Sequence, residues 1–125
     1  MKIVIFGAKS IALGVFRAVQ RLYEEFDVEG FLVTSKKGNP DTLAGLPVYE
    51  LDRFEDRDAC ILIATPQDTH IAIVKSLEEK GFHSHICIDS KKESDLMGKY
   101  YAVSGEFKLL RIAVDRGQTY VEDSI

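Results

Sequence analysis

The run Asp58-Ala59-Cys60-Ile61-Leu62-Ile63-Ala64 constrains the fold of this chain more than any other feature. After its first residue it carries no charge, and it is too short to be an independent helix. Such a run reads as a strand covered on both faces. Strands covered twice belong to parallel sheets with helices on either side, since a strand with one face in water would alternate apolar and polar residues. Thr65-Pro66-Gln67-Asp68 follows at once and has the marks of a helix start. Thr65 can cap, Pro66 costs no bond in the first turn, and Asp68 completes a capping box.

The rest of the chain fits the same scheme. Residues 2–6 form a second continuous apolar run, ended by Gly7. Apolar residues then fall at Ile11, Val15, Val19, Leu22 and Phe26, the spacing of an amphipathic helix with Ser10 as its N-cap. A strand is expected over 28–34. A polar turn follows over 35–45, with Gly38, Asn39-Pro40 and Gly45. Residues 46–49 read as a short strand kept near an edge by Pro47, and 51–54 as a single helical turn. The helix after Thr65 turns Ile71, Val74 and Leu77 inward and stops at Gly81. Residues 85–89 make a further strand, and 90–101 a polar helix. Strands alternating with helices imply right-handed crossovers in a parallel sheet. The expected class is α/β, a doubly wound parallel-sheet Rossmann-like three-layer domain over residues 1–101. Residues 102–125 form a C-terminal segment whose mixed pattern assigns it to no element.

Composition narrows the partners. The 125 residues carry a net charge of −4, which gives no basic face for a polyanion, so no nucleic-acid partner is expected. No stretch approaches the ~20 apolar residues of a membrane helix, so no membrane partner is expected either. Cys60 and Cys87 sit inside strand-like runs, which suits a reducing compartment, and Met1-Lys2 leads straight into a strand with no apolar leader. The expected location is the cytoplasm.

In a doubly wound sheet, ligands sit at the carboxyl ends of the strands near the switch in strand order. Three segments of this chain arrive there. The first is Gly7-Ala8-Lys9-Ser10-Ile11, which stands where a dinucleotide site carries G-x-G-x-x-G. Only the first glycine is kept; Lys9 takes the second position and Ala12 the third. The turn still offers a strand, a glycine and a helix N-terminus, the backbone an anion needs. The second segment is Thr34-Ser35-Lys36-Lys37, where an NAD site would place an acid for the ribose. Hydroxyls and cations suit a ligand with an extra ribose phosphate, NADP or coenzyme A. The third segment is Thr65, Pro66 and His70, where an imidazole in the first helical turn could meet a ribose or phosphate, although Val74 and Leu77 at i+4 and i+7 favour a packed histidine. His83, His85 and Cys87 alternate on one strand face, but no second ligand cluster accompanies them, so no metal is assigned. No G-x-S-x-G nucleophile motif occurs, and no catalytic residues are assigned.

The stretches VEGFLVTSKKGNPDTLAGLPVYELDRF, ACILIATPQ, KIVIFGAKSIALG and CIDSKKE resemble the small Rossmann-like N-terminal domains of bacterial polysaccharide-assembly proteins. These include the heads of sugar O-acyltransferases and the modules preceding capsular and exopolysaccharide glycosyltransferases. The resemblance implies a non-catalytic head for a nucleotide, a nucleotide sugar or coenzyme A, working with a glycosyltransferase domain in cis or in trans, with a homodimer compatible. IATPQDTHIAIVKSLEEKGFH is similar to the N-terminal half of glucose-fructose oxidoreductase-like dehydrogenases, which implies the alternative of an NAD(P)-binding oxidoreductase domain. That family continues with Glu-Lys-Pro, where this chain has Asp89-Ser90-Lys91.

Overall fold

In the computed structural model, which describes residues 1–104, strand β1 (Lys2–Phe6) divides its side chains between two cores. Ile3 and Ile5 enter one, Val4 and Phe6 the other, and all four are buried. This is the double coverage that an unbroken apolar run requires.

Strand β1 pairs in parallel with β2 (Asp27–Val33) on one side and β5 (Cys60–Ile63) on the other. Outward from these lie β4 (Leu46–Glu50) against β2 and β6 (His85–Cys87) against β5, both parallel. The two-residue β3 (Thr42–Leu43) adds an antiparallel edge, giving the order β3-β4-β2-β1-β5-β6. Helix α1 (Ser10–Leu22) covers one face, with Val15, Phe16 and Val19 in its core and Phe16 edge-on to Phe31. Helix α3 (Ser90–Ser104) lies on α1, its Leu96 packed against the same core. Helix α2 (His70–Glu79) covers the other face through Leu77, beside Leu51, Phe54 and Phe82. The domain is a doubly wound, three-layer α/β fold of the Rossmann type, as the sequence predicts. Helix α3 crosses the expected domain boundary at 101, and residues 105–125 of the C-terminal segment lie outside the described residues.

Several local expectations are corrected. Helix α1 ends at Leu22 instead of reaching Phe26. The next residues, Tyr23-Glu24-Glu25, would place two carboxylates at the negative end of the helix dipole. Phe26 still packs on the core, stacked on Tyr23 at 5.4 Å. Ser10 is the first helical residue, and the cap is Lys9, which makes no side-chain capping bond. The polar turn contains the β3–β4 hairpin, closed by Ala44 (φ 52°) and Gly45 (φ 80°), a pair without the Asn-Gly or Asp-Gly signal that usually announces such a turn. Strand β6 stops at Cys87 instead of Asp89, which begins the α3 start.

The capping box at Thr65 does not form. A 3-10 turn, Gln67–Thr69, intervenes, and Thr69 precedes α2 without a side-chain cap. The Thr69 hydroxyl donates to the Pro66 carbonyl at 2.6 Å and so accepts from the Thr65 hydroxyl at 2.7 Å. The inward stripe of α2 is His70, Ile73, Val74 and Leu77, and Ile71 is left 87% exposed. Val74 and Leu77 face inward as expected, and His70 takes the inward place in the first turn that was expected of Ile71.

Candidate functional site

The strand order reverses between β1 and β5: β1 leads through α1 to β2, and β5 leads through α2 to β6. At the carboxyl ends of this pair lies a cleft of about 140 Å³, lined by Gly7, Ala8, Lys9, Ser10 and Ile11 on one side and Ala64, Thr65 and Pro66 on the other. Seven of the twelve residues singled out in the sequence therefore line one cleft: five from the first turn, two from the second.

Gly7 makes the cleft possible. Its φ of +129° is a conformation that side chains avoid, and a Cβ there would stand 2.6 Å from the Ala64 carbonyl oxygen. The same Cβ would press on Ala12 at 3.2 Å and Thr65 Cγ2 at 3.3 Å. The Gly7 N–H donates to the Leu32 carbonyl at 2.8 Å, and the Ala64 N–H to the Phe6 carbonyl at 2.9 Å. Ala12, fully buried, lets α1 lie close to the strand ends, the task of the third fingerprint glycine. The first N–H groups of α1 have no intrahelical acceptor, and no side chain caps them.

Lys9 has extended backbone (φ −115°), and its side chain leaves the cleft. Its ammonium lies 3.4 Å from the Gly38 carbonyl, in the loop after β2. Thr34, Ser35, Lys36 and Lys37 are exposed in this loop. It is organised by its own bonds: Asn39 Nδ2 donates to the Ser35 carbonyl at 2.9 Å, and the Asn39 N–H to the Lys36 carbonyl at 2.9 Å. The Lys37 N–H donates to Ser35 Oγ at 3.2 Å, and Lys36 Nζ pairs with Asp41 at 3.6 Å. These four residues stand beside the cleft instead of lining it.

His70 is 6% exposed, and its Nε2 donates to the Thr65 carbonyl at 2.9 Å. The imidazole thus stands behind the second turn and braces its backbone. The i+4 and i+7 spacing to Val74 and Leu77 already favoured this packed position.

Two residues at this edge escaped the sequence reading. Glu50 ends β4, beside Val33 in the sheet register, and accepts the Lys36 N–H at 3.3 Å. Nothing in the linear sequence says that β4 neighbours β2, so Glu50 gave no signal. Gln67 accepts the Ser90 N–H at 3.0 Å, tying the turn after β5 to the start of α3. Asp89 accepts the Lys92 N–H at 2.8 Å, and that bond holds its carboxyl below the usual value.

His83 and His85 lie at the amino end of β6, away from the cleft. Both imidazoles bond the Glu78 carboxylate, His85 at 2.8 Å, while Cys87 packs against the apolar core. The hydrogen bonds from His85 and then His83 hold the Glu78 carboxyl below its ordinary range. No group of three metal-ligating side chains is assembled among the described residues.

Fold and cleft together define a Rossmann-like domain with a cleft at the β1/β5 switch. Neither a protein-family model nor a curated protein matches the sequence. Among solved structures the chain is similar to RSP, a Rex-family repressor, with a TM-score of 0.56 and 12% identity, covering 88% of this chain and 62% of that one. It is likewise similar to RSP in complex with β-NAD⁺ and operator DNA, with a TM-score of 0.53 and 14% identity, over 95% of this chain and 62% of that one. The chain thus spans 62% of the length of either structure, and at these identities the likeness is one of fold.

The comparison corrects one expectation. A net charge of −4 does not exclude a nucleic-acid partner, because the same fold occurs in a repressor solved on operator DNA. Net charge sums over one domain and does not report how charges are distributed or what is carried elsewhere in an assembly. Both structures are of a repressor, so they lend nothing to the expected link with glycosyltransferases and polysaccharide assembly. Among the described residues, no helix is long and apolar enough to cross a membrane.

Proposed function

We propose that this domain is a non-catalytic nucleotide-binding head. Its ligand is a dinucleotide or a similar pyrophosphate-bearing nucleotide, seated in the cleft between the Gly7 turn and Thr65-Pro66. The observation that carries this reading is the Gly7 turn, whose φ of +129° leads the end of β1 directly into the uncapped N-terminus of α1 at the switch in strand order. The uncapped N–H groups at Ser10 and Ile11 supply donors for a pyrophosphate in the positive field of the helix. Lys9 would add a mobile positive charge, and the 34–37 loop would meet the ribose. His70 positions the Thr65 turn and need not touch the ligand. RSP, solved with β-NAD⁺, supports the dinucleotide class.

Binding is favoured over chemistry by the lining itself. Of the eight residues around the cleft, Lys9 alone is titratable, and no acid–base pair is assembled there. The oxidoreductase alternative therefore loses ground. Association with a glycosyltransferase rests on the sequence resemblance, and a cytoplasmic location follows from where such nucleotides are found. A second reading is favoured by the RSP complex with operator DNA: the head serves a nucleic-acid-binding assembly and reports nucleotide occupancy to it.

Titration calorimetry with NAD⁺, NADH, NADP⁺, coenzyme A and a UDP-sugar tests the main reading. Saturable binding of one of them, lost in a Gly7→Val variant that retains its fold, is the expected result. If none binds at millimolar concentration, the head is structural. The second reading predicts that the full-length protein retards duplex DNA in a manner changed by the nucleotide.

A further inference from the structure

We infer that the site selects a nucleotide whose adenosine ribose carries a phosphate over one whose ribose hydroxyls are both free. The inference rests on the nucleotide-binding reading and concerns the loop beside the cleft.

In a doubly wound sheet the end of the second strand meets the ribose, and a carboxylate there accepts its hydroxyls while repelling a phosphate. Strand β2 ends at Val33, and the loop continues with two hydroxyls and two ammonium groups. Adjacency in the sheet does bring one carboxylate to this edge, Glu50, but it is already engaged. Its Oε1 accepts the Lys36 N–H at 3.3 Å, and its Oε2 lies 3.9 Å from Arg53 Nε. Asp41 is matched in turn by Lys36 Nζ at 3.6 Å. Around the loop stand four cations, Lys9, Lys36, Lys37 and Arg53, against two acids, Asp41 and Glu50, an excess of two positive charges.

The placement of the cations matters more than their number. The Lys37 N–H is fixed on Ser35 Oγ, while its ammonium has no acidic partner among the described residues. Lys9 arrives from the pyrophosphate turn and lies against the same loop at Gly38. A phosphate on the ribose would thus be met from both sides, by Lys37 from the loop and Lys9 from the turn, in a region already depleted of free carboxylate. A ribose with free hydroxyls would find neither the acid it needs nor a use for the cations. The shared chemistry is a ribose monophosphate, which a 2′-phosphate and a 3′-phosphate both provide.

Equilibrium binding of 5′-ADP, 2′,5′-ADP, 3′,5′-ADP, NAD⁺ and NADP⁺ at low salt tests this. The expected result is that one ribose-phosphorylated ligand binds at least tenfold more tightly than its unphosphorylated twin, with the advantage shrinking as salt rises. The 2′ and 3′ arms tell an NADP-like ligand from a coenzyme A-like one. Lys37→Ala, at an exposed position, and Lys9→Ala should each cost the phosphorylated ligand more than its twin and so reduce the ratio, with circular dichroism confirming that each variant is folded. Equal affinities for NAD⁺ and NADP⁺ with no preference among the three ADPs, or tighter NAD⁺ binding, overturn the selection and leave the nucleotide-binding reading intact. No binding of any of the five overturns the selection, and if coenzyme A and the UDP-sugar fail to bind as well, the nucleotide-binding reading falls with it.

Discussion

The ammonium of Lys9 lies 3.4 Å from the carbonyl oxygen of Gly38, so the residue at the second fingerprint position spans from the Gly7 turn to the loop after β2. It neither fills the cleft nor hangs free of the fold. A charged hydrogen bond to a phosphate contributes about 1.5–3 kcal/mol, so Lys9→Ala should weaken nucleotide binding roughly tenfold to a hundredfold. Lys9→Gly should also weaken it, although it restores the glycine of a dinucleotide site. Calorimetry on both variants checks this, and a gain of affinity in Lys9→Gly would show that Lys9 only blocks the cleft.

Gly7→Ala should destabilise the domain by about 1–3 kcal/mol for the backbone conformation alone. The 2.6 Å approach to the Ala64 oxygen adds to that cost. Urea unfolding measures it directly. A variant as stable as the parent would mean that the turn relaxes readily and that the cleft does not depend on glycine.

Replacing His70 removes the donor to the Thr65 carbonyl and a buried ring from the α2 interface. Leaving a buried acceptor unpaired costs about 1–3 kcal/mol. His70→Leu keeps the packing but loses the bond, so it should lower the urea midpoint and raise the Kd of the ligand by disordering the Thr65-Pro66 turn. Unchanged affinity with lowered stability would confine His70 to the core.

Acid should weaken the fold through Glu78 and Asp89. Glu78 is lowered chiefly by the hydrogen bond from His85, then by that from His83, and Asp89 chiefly by the Lys92 N–H. A carboxyl whose folded pKa is depressed contributes stability that is complete above its unfolded value of about 4 and is lost as pH falls through the folded one. These two groups therefore leave stability flat between about pH 7 and 5 and reduce it below about pH 4. In a pH series of urea midpoints, Glu78→Gln should flatten the acid limb, and an unchanged limb would show that the pair with the histidines contributes nothing.

The apolar runs made the sheet legible, because strands such as β1 and β5 are covered on both faces and need no partner to declare themselves. The Gly7 turn was legible for a similar reason: it directly follows one of these strands. What the sequence hid depends on adjacency or on local conformation. Glu50 joins Val33 at this edge of the sheet only because β4 lies beside β2. The spacing to Val74 and Leu77 announced a packed His70, but the apolar side chain of Ile71 masked its 87% exposure. The β3–β4 hairpin was missed because Ala44 adopts φ 52° without an asparagine or aspartate to signal it.

The lacing of Gly7 to Leu32 and of Ala64 to Phe6 gives the cleft a floor that cannot widen without tearing sheet bonds. The loop around Gly38 is held across from that floor only by exposed contacts, the Lys9 ammonium on the Gly38 carbonyl and the Lys36 N–H on Glu50. The arrangement is a vice with one fixed jaw and one sprung jaw. A ligand that draws Lys9 onto its phosphates would remove one tie on this loop, while β4 stays laced to β2. Occupancy would then be written in the pose of the exposed loop around Gly38, where another molecule could read it without touching the nucleotide.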